Sequence, residues 1–246
     1  MEWTDLSFPR HCHSTFEAVF IKSGEIELEK EGVVYKLKQN DAMVIMPFET
    51  HAFLPGNTSQ IFTLQLSVNQ ISNFTEIFKN KVPKNPICHF SQGDMDDIYL
   101  ELKTIDSMVD INYTFFRIMR AVLCNNELVS FFACNDLFKQ AIIYLSNHFD
   151  ESLSLAHVAK KLNVSRVHLS RMFSHKSQLG FTNCVNGLRV QKAITMLSNT
   201  SLAVSDIGLS CGFGSIRSFN RVFSEMMSCT PSEYRRKNIL SVDKNA

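Results

Sequence analysis

No run of apolar residues in this chain approaches the ~20 that a membrane-spanning helix needs. The N-terminus, MEWTDLSFPR, has no basic segment followed by an apolar run, so no secretory signal is expected. No stretch is of low complexity. The seven cysteines, at 12, 88, 124, 134, 184, 211 and 229, are odd in number and form no C-x-x-C pair. That excludes a disulfide framework and the common zinc patterns, and it fits a reducing cytoplasm. There is no G-x-S-x-G, H-E-x-x-H or P-loop, so no enzyme is read here. Cys184 and Cys211 lie in helical sequence without an activating basic cluster. They read as small core residues.

What is present is enough for two domains: 246 residues, 45% of them hydrophobic. The net charge of +1 hides an asymmetry. Residues 1–135 hold 11 Lys and Arg against 17 Asp and Glu, whereas residues 136–246 hold 14 against 7. A basic half beside an acidic one points to a polyanionic partner for the basic half.

The acidic half opens with short β-rich segments: EAVFIK, EIELEK, VVYKL, AMVIM and IFTLQL, all within 17–66. Gly24 is expected to separate the first two. In EIELEK, Ile26 and Leu28 alternate with Glu, as in a half-buried strand. Five such segments at about ten-residue spacing predict a small sandwich or barrel. NQISNFTEIFKN then reads as a short helix. Two apolar helices follow within 93–135, with Ile98, Leu102 and Ile105 on one and Phe115, Ile118, Met119 and Val122 on the other. They pack either on the barrel or on a second copy of the chain.

From residue 136 the spacing is helical throughout. Ser154, Ser165, Ser205 and Ser215 are placed to cap helix N-termini, and Gly212 to stop one. SRVHLSRMFS (Ser165–Ser174) and SIRSFNRVFS (Ser215–Ser224) are two versions of one amphipathic segment. Each follows a short helix and a tight turn, the second turn being one residue longer. This is a helix–turn–helix written twice. In such a unit the second helix enters the DNA major groove with its N-terminal half at the base edges. Leu169, Met172 and Phe173 form the buried side of the first copy, and Phe219, Val222 and Phe223 that of the second. Arg166, Val167, Ser170 and Arg171 are left outward in one, and Ile216, Arg217, Asn220 and Arg221 in the other. Arg can pair with guanine O6 and N7, Asn with adenine, and Val or Ile can touch a thymine methyl. A helix over Phe181–Ser198 would be ~27 Å long. It could hold two reading heads near the ~34 Å that separates successive major grooves on one DNA face.

LSLAHVAKKLNVSRVHLSRMF, LRVQKAITML, VSDIGLSCGFGSIRSFNRVF and TPSEYR together resemble the DNA-binding domain of the AraC/XylS family of bacterial transcription regulators. The resemblance covers about residues 136–237. It implies that Val167, Ser170, Arg171, Arg217, Asn220 and Arg221 stand where family members touch bases. It also implies activation of transcription with RNA polymerase as a partner. Three positions depart from the family pattern: Gln178 and Ser228 replace Gly, and Gly208 replaces Ala. Ser228 must then take a helix-ending turn without glycine's freedom, and Gly180 could take over the turn near Gln178.

HCHSTFEAVFIKSG, with His11, His13, Glu17 and Gly24, resembles the first cupin motif. NDAMVIMPFETH, ending at His51, resembles the second, with Asn40 in place of its usual Gly. In cupin enzymes such residues converge on a metal. The candidate metal set is therefore His11, His13, Glu17 and His51, donors suited to a divalent transition metal. The candidate ligand set is Arg10, His13, Glu17 and His51 at a barrel mouth; no cofactor is assigned.

The expected architecture is α+β and multidomain. A cupin-like β barrel that senses an effector spans 1–92, and a helical linker with candidate dimerisation helices spans 93–135. An all-α domain with two helix–turn–helix units spans 136–246. The expected function is that of a ligand-responsive, sequence-specific transcription factor acting on promoter DNA. Two alternatives stay open: a metal-dependent cupin enzyme tethered to DNA, and a constitutive DNA-binding dimer without effector.

Overall fold

The computed structural model describes residues 2–56, 58–67, 81–104, 107–124, 126–130, 136–176 and 180–242. The helix expected in NQISNFTEIFKN, together with Ile105 and Gln178, lies outside these residues. Contacts divide the chain into two compact units. Met1–Arg10 and Ser14–Asn135 form the first, and His11–His13 with Asp136–Ala246 the second.

The first unit is built around one long strand, β3 (Thr15–Lys30). Its first half pairs antiparallel with β7 (Ser59–Ser67) and β5 (Asp41–Ile45). Its second half pairs with β4 (Val33–Lys38) and β6 (His51–Phe53). One strand thus serves both sides of the barrel. Gly24 does not separate two strands as the sequence suggested. It sits at φ 77°, just after a register irregularity between Ile21 and Ser23, and the strand bends there without ending. A Cβ at Gly24 would lie 1.9 Å from the Thr58 carbonyl oxygen, so only glycine fits the bend. Asn40 takes a left-handed conformation, φ 71°, at the turn into β5. Asn tolerates that region better than other side chains, which accounts for its standing where the cupin motif has Gly.

Five further strands complete the unit: β1 (Glu2–Thr4), β2 (Phe8–His11), β8 (Lys81–Pro83), β9 (Ile87–His89) and β10 (Leu128–Ser130). β1 pairs with β7, β2 with β6, β9 with β5, and β10 with β8. Each is three or four residues long, too short for alternation to show in the sequence.

Strand alternation gives β3 two faces. Phe16, Ala18 and Phe20 join Val44, Phe62, Leu64 and Leu66 in one apolar cluster. Helices α1 (Gln92–Thr104) and α2 (Met108–Cys124) complete that cluster with Met95, Ile98, Phe115, Ile118, Met119 and Val122. The two helices are therefore part of the first unit's core, packed on the barrel's outer face. Ser91 and Ser107 cap them by accepting from the amides of Asp94 and Asp110. The opposite side of α2 exposes Val109, Tyr113 and Phe116, one helical stripe at i, i+4 and i+7.

The second unit is helical: α3 (Asp136–His148), α4 (Leu155–Lys161), α5 (Arg166–Lys176), α6 (Phe181–Asn199), α7 (Val204–Ser210), α8 (Ile216–Met227) and α9 (Pro231–Val242). Ser154, Ser165 and Ser215 cap their helices, each accepting from the amide three residues on. Ser205 does not. α7 starts at Val204, with Ala203 at the cap position and no side-chain cap, while Ser205 bonds the Asp206 carboxylate from inside the first turn. Ser228 ends α8 at φ 53°, ψ 19°, the left-handed turn made without glycine. Gly180 supplies no such turn, since at φ −70° it is the residue that starts α6.

Candidate nucleic-acid interface

Each head is assembled from local rules. In the first, α4 ends at Leu162, and the Val164 amide donates to the Ala159 carbonyl at 3.0 Å. In the second, the Phe213 amide donates to the Gly208 carbonyl at 3.2 Å. The closing bond spans five residues in both copies. The extra residue of the second turn is Gly214, between Phe213 and the cap Ser215.

The faces of the two second helices then follow from their period. Leu169, Met172 and Phe173 are buried in α5, and Phe219, Val222 and Phe223 in α8. Aromatic edges fix both helices. Phe173 meets Phe138 at 5.9 Å, and Phe219 meets Phe213 at 5.2 Å and Phe223 at 5.6 Å between ring centroids. All eight expected contact residues are exposed: Arg166, Val167, Ser170 and Arg171 on α5, and Ile216, Arg217, Asn220 and Arg221 on α8. Val167 at 59% and Ile216 at 44% are unusually open for apolar side chains, both in the first turn of their helices.

The two heads differ in detail. Arg166, Val167, Ser170 and Arg171 border a surface cleft of about 400 Å³ whose other wall is Ser154–Ala156 at the start of α4. In the second head, Arg221 donates to both carboxylate oxygens of Glu225, one turn on, at 2.8 and 3.0 Å. Position 175, the counterpart of Glu225, is an exposed His. Glu225 was not singled out from the sequence. Its place four residues after an outward Arg was the available signal.

The barrel presents a second polar group. His51 on β6 and Glu17 on β3 are buried, with Nε2 at 3.3 Å from the carboxylate. His51 Nδ1 lies 3.2 Å from the Glu49 carbonyl, and that contact orients the ring. His11 and His13 are also buried, their ring centroids 5.7 Å apart. An imidazole beside a carboxylate is a donor pair that suits a divalent transition metal. Arg10 belongs elsewhere. Its guanidinium holds Glu29 at 2.7–2.8 Å, and Glu29 points to the face of β3 opposite Lys30, the residue paired with His51.

A residue pair not anticipated completes the interior. Lys30 Nζ lies 2.8 Å from Glu49, with both side chains almost fully buried. Burial pushes the Glu49 carboxyl above its usual value, and the Lys30 charge and the Met46 amide pull the other way. The alternation Ile26, Leu28, Lys30 in EIELEK already placed Lys30 on the inward face. The cysteine reading agrees with the geometry: Cys184 and Cys211 are buried, and burial pushes the Cys211 thiol up to about 11.

These features define a two-headed DNA-binding regulator carried behind a small β barrel. Comparison with known proteins gives the same division. Residues 4–65 match the cupin domain and residues 158–237 a helix-turn-helix domain. The HTH-type transcriptional activator RhaR of Mannheimia succiniciproducens is 22% identical over 94% of this chain and 88% of its own. An uncharacterized HTH-type transcriptional regulator of Staphylococcus aureus is 35% identical over 101 residues, covering 41% of this chain but only 14% of that protein. ToxT of Vibrio cholerae has the same fold, with a TM-score of 0.67 at 15% identity over 96% of both chains. ToxT has also been solved with an unsaturated fatty acid bound, and that structure matches with a TM-score of 0.65 at 14% identity over 95% of this chain and 92% of its own. The chain thus carries a cupin domain followed by a helix-turn-helix domain, the order expected from its resemblance to AraC/XylS regulators. Among the described residues, no helix is long and apolar enough to cross a membrane.

Proposed function

We propose that the chain is a cytoplasmic regulator that reads promoter DNA through two successive major grooves and answers to a small molecule held by the barrel. The observation that carries this is the duplicated row of exposed Arg, Asn and small apolar side chains on α5 and α8, each on a serine-capped helix after the same five-residue closing bond. The row lies in the half of the chain with excess positive charge. Arg171, Arg217, Asn220 and Arg221 carry base recognition. Val167, Ser170 and Ile216 supply shape and methyl contacts, and Arg166 steadies the phosphates.

The effector fills the barrel interior and meets Glu17 and His51, groups able to bind hydroxyls. It shifts the protein only by binding one state more tightly than another. The exposed stripe Val109, Tyr113 and Phe116 on α2 supports a homodimer, and the family supports RNA polymerase as the partner in activation. Genome-wide mapping of bound sites tests the reading. A small set of intergenic sites sharing a two-part motif is expected, and uniform, sequence-independent coverage would refute it. Effector binding is tested by a thermal-shift screen with sugars, carboxylic acids and other metabolites.

A second reading is favoured by one observation, the buried His51 ring beside the buried Glu17 carboxylate. On it the barrel holds a divalent metal as part of its ligand site. Metal analysis of the purified full chain decides: a stoichiometric, tightly held metal supports it, and metal-free protein that still responds to effector excludes it.

A further inference from the structure

Arg189 is an unusual residue in the middle of α6, since its neighbours Leu188 and Val190 are buried. Its Nε donates to the Phe149 carbonyl at 2.7 Å, and an Nη donates to the Glu151 carbonyl at 2.8 Å. Both carbonyls lie in the loop that leaves α3 and feeds the first head. The same guanidinium lies 5.6 Å from the ring centroid of Phe213, in the turn of the second head. Phe213 in turn packs on Phe219, the buried anchor of α8. Burial pulls the Arg189 pKa below its usual value, and its donors are turned to the backbone carbonyls of Phe149 and Glu151. Such an Arg is a structural brace and not a phosphate clamp.

A missing side chain makes the second tie. Gly212 sits at φ 83° in the turn of the second head. A Cβ there would lie 2.6 Å from the Phe149 carbonyl oxygen and 2.7 Å from the Asp150 Cα. The turn of one head therefore rests on the backbone that leads into the other. Two heads joined only through the ends of α6 could swing about those ends. Two heads also tied by Arg189 and Gly212 cannot do so without breaking two charge-assisted hydrogen bonds.

The geometry points to Arg189 as the positioning residue that fixes the separation between the two heads, so that the protein accepts a single spacing between half-sites. This rests on the two-headed DNA reading above. One added base pair both translates and rotates the distant half-site, because a turn is 10–10.5 base pairs. A locked pair of heads must then give up the contacts of one of them.

The test uses the full chain and a pool of duplexes with a randomised core of about 30 base pairs, long enough for two half-sites a turn apart. The wild type is expected to enrich two half-site motifs at one separation. Adding or removing one base pair should weaken binding at least about 30-fold, the scale of lost base contacts. Arg189→Met keeps the stem and removes the donors. It should select the same motifs at several separations, with the one-base-pair penalty reduced below about 5-fold. A uniform loss of affinity with the single separation retained would overturn the proposal, because a merely structural Arg would behave that way. Should Arg189→Met fail to fold, Arg189→Lys and the wild-type penalty still decide. A wild type that binds the shifted sites equally well overturns the clasp and leaves DNA reading intact. Enrichment of no DNA at all sinks both.

Discussion

Gly208 gives the most exposed prediction about how the second head is built. It is buried in α7, and a Cβ added to it would lie 2.5 Å from Phe219 Cδ1, 2.7 Å from Cγ and 3.1 Å from Cβ. These atoms are at the root of the ring, so no rotation of a flexible tip relieves the clash, and α8 has to shift. Overpacking of this kind costs about 1–3 kcal/mol. Replacing Gly by Ala inside a helix returns about 1 kcal/mol. The overpacking term wins at all but its low end, so Gly208→Ala should destabilise the helical unit by about 1 kcal/mol. Urea unfolding followed by circular dichroism at 222 nm reads mostly that unit. The single Trp, Trp3, lies in β1, so its fluorescence reads the barrel and should not change. Adding Phe219→Leu to Gly208→Ala should restore part of the loss, whereas Phe219→Leu alone is costly. Equal or higher stability of Gly208→Ala would refute the reasoning, because it would mean that Phe219 does not rest on this backbone.

Five other outcomes follow from the same geometry. Glu225→Gln frees Arg221 and removes a negative charge from the reading face. It should tighten DNA binding about two- to five-fold and steepen its salt dependence, as titrations at several salt concentrations would show. Arg171→Ala and Arg221→Ala should each cost ~1–3 kcal/mol on the matched site and little on random DNA, at positions about one turn apart; equal losses on both DNAs would recast them as phosphate contacts. His51→Ala should abolish the effector response and keep basal DNA affinity within a few-fold, measured by titration with and without the effector found in the thermal-shift screen. At pH 8, iodoacetamide should modify exposed Cys124 first and leave Cys88 and Cys211 until the chain unfolds, since burial raises both thiols to about 11. Those raised values have a linked cost: above pH 9 the unfolded thiols ionise while the folded ones do not, so stability should fall as pH climbs from 9 to about 11.

The helical unit was the more legible half, for a physical reason. Its signals are local: a serine cap, a 3.6-residue apolar period and a left-handed stop all lie within a few residues of what they specify. Leu169, Phe173, Phe219 and Phe223 declared their buried face by spacing alone. The misreading there, Ser205 as a cap, came where two adjacent residues competed for one helix start. In the barrel the sequence showed strands but not their joints. Gly24 carried a break signal, yet it serves a bend, because the constraint is the Thr58 carbonyl thirty-four residues away. The pairing of Lys30 with Glu49 and the diversion of Arg10 to Glu29 depend on register between distant strands, which composition does not encode. Arg189 was visible as an Arg inside an apolar helix, but its partners come from another loop.

The central claim, that one chain reads two grooves in succession, is tested most directly by hydroxyl-radical footprinting of the full chain on a site taken from the mapped genomic targets. Two protected patches are expected on one face of the duplex, about one helical turn apart. Arg171→Ala and Arg221→Ala should each weaken a different patch. A single protected patch, or two that fade together with either substitution, would contradict the account.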